Sequence, residues 1–159
     1  MTNNVIVVVK DNGGLAVLKE VVFGLAKQCG GLNFHWVAEG LAAKALTDAG
    51  IAIVGGMRVE GAFDPKTFTR SDINVGLVLD SFEPDLVLTS QGSPNNLEKE
   101  FVQRAIWRGI PTAVISDSHG SGLRAGLSIV EPSLNKVLFT TLDSEDARLV
   151  REYFQGPVK

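Results

Sequence analysis

Residues 117–122, with the sequence DSHGSG, carry the side chains best suited to acid–base chemistry in this chain. His119 lies two residues after Asp117, with Ser118 between them. An imidazole oriented by a carboxylate can act as a general acid or base near neutral pH. A short polar turn also needs small, hydrogen-bonding residues for purely structural reasons. We therefore treat His119 and Asp117 as candidate catalytic residues and Ser118 as a candidate ligand contact, and the structural role stays open.

A second polar loop has the sequence Ser90-Gln91-Gly92-Ser93 and follows an apolar segment directly. Its two hydroxyls, its amide side chain and its main-chain donors suit phosphate oxygens or sugar hydroxyls. A helical pattern begins a few residues later, so the loop would lie at the amino-terminal end of a helix. These four residues are the best candidates for ligand binding in the sequence.

Two charged residues near these loops are further candidate ligand contacts. Glu98 falls in the first turn of the helix after the second loop, where it could cap that helix or point into a crevice. Arg124 could hold a phosphate through two parallel hydrogen bonds, although a single loop arginine is more often a solvated charge.

A glycine pair, Gly13-Gly14, follows the first apolar segment of the chain. Such a pair could bring backbone amides close to an anion at the positive end of a helix. The local sequence DNGGLAVL lacks the third glycine of the dinucleotide-binding fingerprint, so a simple turn is the more common role. We keep Gly13 and Gly14 as candidate ligand contacts beside that alternative.

The elements that would position these residues alternate between strands and helices. Short β-branched apolar segments are typical of strands buried on both faces, and the segments between most of them have helical spacing. The predicted strands are residues 5–10, 32–37, 51–54, 86–90, 112–116 and 136–141. Residues 71–82, 97–108 and 144–154 are among the predicted helices, and residues 55–70 are predicted to form a loop.

This alternation predicts a single three-layer, doubly wound Rossmann-like α/β domain that spans residues 1–159. Its mostly parallel six-stranded sheet would have the order 3-2-1-4-5-6, which makes the first and fourth strands neighbours. The loops at Gly13 and Ser90 would then flank the point where helices leave toward opposite faces. We expect the largest pocket, and the ligand, at that crevice.

Composition excludes several classes of partner and site. A net charge of −3, with acidic and basic residues mixed along the chain, gives no field for nucleic acid or anionic lipid. The first residues lack a basic segment, and their apolar run is too short for a signal peptide or a membrane span, so we expect a cytoplasmic protein. With one cysteine, Cys29, and two histidines, we expect no disulfide, no metal site and no cofactor.

Four short sequences in the central stretch form a recognisable series: PDLV at residues 84–87, the turn glycine Gly92, GIP at residues 109–111 and SGLR at residues 121–124. Residues 71–153 thereby resemble the amino-terminal domain of GT-B glycosyltransferases, nearest to the UDP-N-acetylglucosamine 2-epimerase type. The resemblance implies a Rossmann-like domain that works with a second, nucleotide-sugar-binding domain.

The chain departs from the epimerase pattern at two positions, because Ser93 and Gly120 stand where those enzymes have acidic residues. Two functions therefore stay open. In the first, the domain binds a sugar, a sugar phosphate or a ligand related to a nucleotide sugar, acts with a separate second domain, and uses His119 as a base in glycosyltransferase-like chemistry. In the second, it is a stand-alone module that binds a nucleotide, a metabolite or a protein without turnover.

Trp107 falls on the face of its predicted helix that turns away from the sheet. Tryptophan is enriched in interface hot spots, so this position favours a homodimer. The alternative is that the ring lies over the side-chain stems of Arg104 or Arg108 in a monomer.

Overall fold

Five parallel strands form one sheet in the computed structural model, which describes residues 3–54, 73–90, 97–117, 137–141 and 143–151. The strand order is β2-β1-β3-β4-β5. In chain order the elements are β1 (Asn3–Val9), α1 (Asn12–Gln28), β2 (Leu32–Ala38), α2 (Gly40–Asp48), α3 (Val75–Phe82), β3 (Leu86–Ser90), α4 (Leu97–Trp107), β4 (Thr112–Ile115), β5 (Val137–Thr140) and α5 (Ser144–Arg151).

The predicted doubly wound α/β fold is confirmed, and among the described residues the sheet has five strands instead of the six predicted. Residues 51–54, predicted as the third strand, make only an isolated parallel bridge between Ile53 and Trp36 of β2. The amide of Val54 also donates a hydrogen bond to the carbonyl oxygen of Trp36, at 2.6 Å. The segment lies on the predicted side of β2, but the sequence continues with Gly55-Gly56, and glycine disfavours an extended strand. The first and fourth predicted strands, now β1 and β3, are neighbours as expected.

Both faces of the sheet are covered by helices, which explains the continuous apolar run of β1. Val5, Val7 and Val9 point to the face that packs with Leu15 and Leu18 of α1. The intervening β1 residues, Ile6 and Val8, point to the opposite face, where they pack with side chains of α3 and α4, among them Val78, Leu79 and Phe101. A strand that is buried on both faces has no position for an exposed polar residue.

Helix α4 buries the residues that helical spacing places on one face. Its buried positions include Leu97, Phe101, Val102, Ala105 and Ile106, and Glu98 is also buried. The helix ends at Trp107, and Gly109 follows with a φ of 70°, a backbone conformation that glycine adopts without a side-chain clash. The amide of that glycine donates to the carbonyl oxygen of Ile106 at 2.9 Å, so the predicted helix stop is confirmed.

Several sequence predictions fall outside the described residues. They include the loop at residues 55–70 and the end of the last helix beyond Arg151. Among the residues that the structure describes, no helix is long and apolar enough to cross a membrane.

Candidate functional site at the carboxyl ends of β1 and β3

The candidate site lies where β1 and β3 run side by side to their carboxyl ends. Val8 is paired with Thr89 in parallel register, and the hydroxyl of Thr89 donates to the carbonyl oxygen of Val8 at 3.1 Å. Lys10 and Asp11, which follow β1, therefore come close to Ser90, the last residue of β3. α1 and α4 leave from these ends toward opposite faces of the sheet. This is the topological switch point at which open α/β sheets bind ligands.

Gly14 brings the start of α1 against the end of β3. A β-carbon at Gly14 would lie 2.1 Å from the Oγ of Ser90 and 2.7 Å from its β-carbon, so any larger residue would overlap Ser90. The sequence indicated a turn ahead of the helix, whereas the structure has Gly13 and Gly14 within the first turn of α1. The close approach of two backbones explains the glycine here.

Asp11 is the N-cap residue of α1. Its Oδ1 accepts a hydrogen bond from the amide of Gly14 at 2.7 Å, so one of the free amides at the helix start is already bound to a carboxylate. The sequence interpretation treated Asp11 only as part of the turn. Its signal was available, because an aspartate immediately before a helix is a preferred N-cap.

Glu98 extends from the first turn of α4 into this junction and is only 2% exposed. Its Oε1 accepts a hydrogen bond from the amide of Lys10 at 2.9 Å and contacts the Oγ of Ser90 at 3.4 Å. Its Oε2 is buried and has no hydrogen-bond partner among the described residues. The carboxyl group thus contacts the end of β1 and the end of β3, and the amide of Glu98 itself also donates to it, so both orientations that the sequence left open stay compatible with these contacts.

Burial and charge together raise the pKa of Glu98 to about 7. Desolvation is the largest cause, and the nearby charge of Asp11 adds to it. Hydrogen bonds from the amides of Lys10 and of Glu98 itself lower the pKa, as does the positive charge of Lys10, but these effects do not offset the first two. A carboxyl group in this environment exchanges its proton near neutral pH.

Asp117, which follows β4 by two residues, also reaches the start of α1. Its Oδ2 would lie 3.3 Å from a β-carbon at Gly13. Asp11, Glu98 and Asp117 thus surround the amino-terminal end of one helix, although none of these residues is adjacent to another in sequence. Within the described ranges, no group of three or more His, Cys, Asp or Glu side chains is arranged to hold a metal ion.

Five candidate residues of the sequence analysis are described by the structure and come together here: Gly13, Gly14, Ser90, Glu98 and Asp117. The remaining candidates are Gln91, Gly92, Ser93, Ser118, His119 and Arg124, which lie outside the described residues.

A further buried polar contact joins the residue that follows β4 to α5. The hydroxyl of Ser116 donates to the Oδ2 of Asp146 at 3.2 Å, and both residues are buried. The amide of Asp146 donates to the Oδ1 of Asp143 at 2.9 Å. The sequence analysis missed this pair, although an acid three residues after Asp143 is a common pattern at helix starts.

A solved structure with a similar architecture is that of a MurG protein. The crystal structure of MurG from Acinetobacter baumannii superposes with a TM-score of 0.56 over 89% of this chain, at 14% sequence identity. The fold is that of a GT-B Rossmann-like domain. The chain spans 42% of the length of that MurG chain, and at this identity the likeness concerns the fold. No protein-family model matches the sequence, and a search of curated proteins finds no match.

Proposed function

We propose that this chain is a GT-B-like domain that binds a carbohydrate ligand at the carboxyl ends of β1 and β3 and acts together with a second domain. The ligand class comprises sugars, sugar phosphates and molecules related to nucleotide sugars. The observation that carries the proposal is the position of Glu98, a buried carboxyl group at the switch point whose Oε2 has no hydrogen-bond partner among the described residues.

The polar groups at this junction suit hydroxyl-rich molecules. Carboxylate oxygens accept hydrogen bonds from sugar hydroxyls, and Asp11, Glu98 and Asp117 supply three carboxyl groups around the start of α1. Ligand sites in open α/β sheets lie outside the carboxyl ends of the strands, and few polar groups within an apolar wall usually fix the ligand.

The loop residues of the sequence analysis complete this proposal. Gln91, Gly92 and Ser93 follow Ser90 directly and would contact the ligand from the β3 side. Ser118 and Arg124 would do so from the β4 side, close to Asp117. His119 would act as the base, oriented by Asp117. Once a turnover assay exists, we expect His119→Ala to abolish turnover without loss of fold, which circular dichroism would verify.

A second domain is part of the proposal because the GT-B-like resemblance implies one. It would carry the nucleotide-sugar site, either on another chain or beyond residue 159. The alternative function, a binding module without turnover, is favoured by Ser93 and Gly120, which replace the two acids of the epimerase pattern. Both functions require the same crevice, and they differ in whether a bound ligand is converted.

A thermal-shift screen of sugars, sugar phosphates, nucleotides and sugar nucleotides tests ligand binding. We expect at least one of these classes to raise the melting temperature, because a ligand that binds only the folded state stabilises it. Asp117→Asn should reduce that shift. Asp48→Asn, at the carboxyl-terminal end of α2, is the matched control and should leave it unchanged. If no compound shifts the melting temperature, the proposed ligand class is wrong.

We also propose that the chain forms a homodimer through the surface around Trp107. The side chain is 80% exposed, so its ring is not covered by Arg104 of the same helix or by Arg108, which follows it. Those arginines form ion pairs with Glu100 and Asp80, at 2.9 and 3.0 Å. A large exposed aromatic residue gains most when a partner covers it.

A further inference from the structure

We propose that Glu98 makes the opening of the candidate site depend on pH. When Glu98 holds a proton, its carboxyl group keeps the start of α4 against the ends of β1 and β3, and loss of the proton lets this junction open. As the regulation of a ligand site, the inference rests on the proposed function. Its test needs no ligand, so its failure and the failure of the proposed function are separate results.

The carboxyl group of Glu98 connects three parts of the chain that are distant in sequence. The residue belongs to the first turn of α4. Its Oε1 accepts a hydrogen bond at 2.9 Å from the amide of Lys10, which follows β1. The same oxygen contacts, at 3.4 Å, the Oγ of Ser90, the last residue of β3. One side chain therefore links α4 to both of the strand ends that bound the candidate site.

The surroundings of this carboxyl group favour its protonated form. Glu98 is 2% exposed, and its Oε2 is enclosed without a hydrogen-bond partner among the described residues. A buried carboxylate is stable only when hydrogen bonds or a cation compensate for the water that it has lost, and otherwise it takes up a proton. The amides of Lys10 and of Glu98 itself donate to this group, but burial outweighs them and raises the pKa of Glu98 to about 7.

The charged groups around Glu98 do not reverse this preference. Lys10 and Asp11, between β1 and α1, act on its ionisation in opposite directions, and the effect of Asp11 is the larger one. From β3, Glu98 meets the neutral hydroxyl of Ser90. Asp117, which follows β4, lies at the start of α1 and is not among the groups whose charges shift this pKa. Burial is the largest cause, so the preference for the proton lasts while the junction excludes water.

Ionisation of Glu98 is therefore coupled to a local opening. Because Oε2 is enclosed, the carboxylate reaches water only when the start of α4 moves away from Lys10 and Ser90. In the open state the pKa of Glu98 returns to its ordinary value of 4.5, whereas in the closed state it is about 7. The closed state thus loses stability relative to the open state as the pH rises from about 4.5 to about 7, and above that range the difference is level.

Amide hydrogen exchange followed by NMR measures this opening in the intact protein. The reporters are the amides of Lys10 and of Phe101 in α4. After correction for the intrinsic pH dependence of exchange, we expect their opening equilibrium constants to rise at least about tenfold between pH 5 and pH 8. Low concentrations of urea should leave these constants unchanged, because a local opening exposes little surface. Exchange that follows urea at every pH would show that the junction opens only by global unfolding, which overturns the inference.

Two variants with the same change of charge separate Glu98 from the rest of α4. Glu98→Gln keeps an oxygen that accepts from Lys10 but cannot ionise, so the rise in opening with pH should disappear. Glu100→Gln is the matched control, since Glu100 lies in the same helix and pairs with Arg104 at 2.9 Å. It should keep the wild-type rise.

The amide signal of Lys10 in the wild-type protein gives a second measurement, which holds even if Glu98→Gln does not fold. This amide donates directly to the ionising carboxyl group, so its chemical shift should titrate with a midpoint near pH 7. The inference is overturned if the shift does not titrate, if opening of the wild-type junction is the same at pH 5 and pH 8, or if Glu98→Gln keeps the rise. A pH-dependent opening in a protein whose melting temperature no sugar shifts would uphold the role of Glu98 and overturn the proposed ligand class.

Discussion

Gly14 and Ser90 are in such close contact that a β-carbon at position 14 would lie 2.1 Å from the Oγ of Ser90. The two residues belong to α1 and β3, so the contact fixes how closely the first helix approaches the neighbouring strand. It also places the capped start of α1 beside Glu98, which contacts Ser90 from the other side. The geometry of the candidate site therefore depends on this contact.

Gly14→Ala should destabilise the protein, although alanine normally favours a helix over glycine. The new methyl group must displace Ser90 in a buried junction, and overpacking of this kind costs about 1–3 kcal/mol. Gly24→Ala in the same helix is the matched control, because a β-carbon there meets nothing within 4 Å. It should raise the unfolding free energy by up to about 1 kcal/mol. Urea denaturation of both variants measures these changes.

Replacing Ser90 with glycine should restore the stability that Gly14→Ala loses. Ser90→Gly takes away the two Ser90 atoms that a β-carbon at Gly14 would overlap and leaves only the Oδ1 of Asp11 at 3.3 Å, so the double variant should show a favourable coupling of about 1–3 kcal/mol. Additive effects of the two substitutions would contradict the close contact between α1 and β3.

Glu98→Gln should change how stability depends on pH. Because the pKa of Glu98 is raised from 4.5 to about 7 on folding, the folded state holds this proton more tightly than the unfolded chain does. The contribution of Glu98 to the unfolding free energy should therefore fall as the pH rises from about 4.5 to about 7, and stay level above that range. Asp11 and Lys10 are the charged groups that affect this ionisation.

The difference between wild type and Glu98→Gln isolates this effect, since the other titrating groups are shared. We expect the variant to gain on the order of 2–3 kcal/mol relative to wild type between pH 4.5 and pH 8. Denaturation curves at several pH values measure it. Parallel pH profiles for the two proteins would show that Glu98 ionises in the folded protein as it does in the unfolded chain.

Trp107→Ala should weaken the proposed homodimer. Truncation of an aromatic residue at the centre of an interface typically costs 2 kcal/mol or more, so the dissociation constant should rise at least about tenfold. Phe23→Ala, at an exposed aromatic position of α1 on the opposite face of the sheet, is the control and should leave the dimer intact. Light scattering over a concentration series measures both. A wild-type monomer at high micromolar concentration would rule out the dimer.

The sequence predicted the fold well because its signals were local and repeated. The apolar run of β1 has one structural solution, a strand buried on both faces. The spacing of Phe101 and Ile106 likewise has one, a helix packed on a sheet. The length of the third predicted strand was overestimated because Ile51, Ile53 and Val54 have strand propensity. Strand propensity does not determine how many of these residues pair with β2, and of the three only Ile53 forms a β-bridge.

The site was predicted less completely because its contacts join distant parts of the chain. Topology placed Gly14 and Ser90 together, since the strand order brings β1 and β3 side by side. The orientation of side chains where β1, α1 and α4 meet decides which oxygen of Glu98 accepts from Lys10. It also decides that Asp11 caps α1. No spacing rule encodes such contacts, and the N-cap preference of aspartate was the one local sign of them.

Amide NMR of the labelled protein during titration with N-acetylglucosamine tests the central claim most directly, because it reports both binding and its location. The account predicts that the amide signals of Gly13, Gly14 and Ser90 move with a common dissociation constant. Signals at the opposite, amino-terminal ends of the same two strands, such as those of Asn4 and Asp85, should stay in place. The account is contradicted if Gly13, Gly14 and Ser90 do not respond, or if the largest changes lie at Asn4 and Asp85.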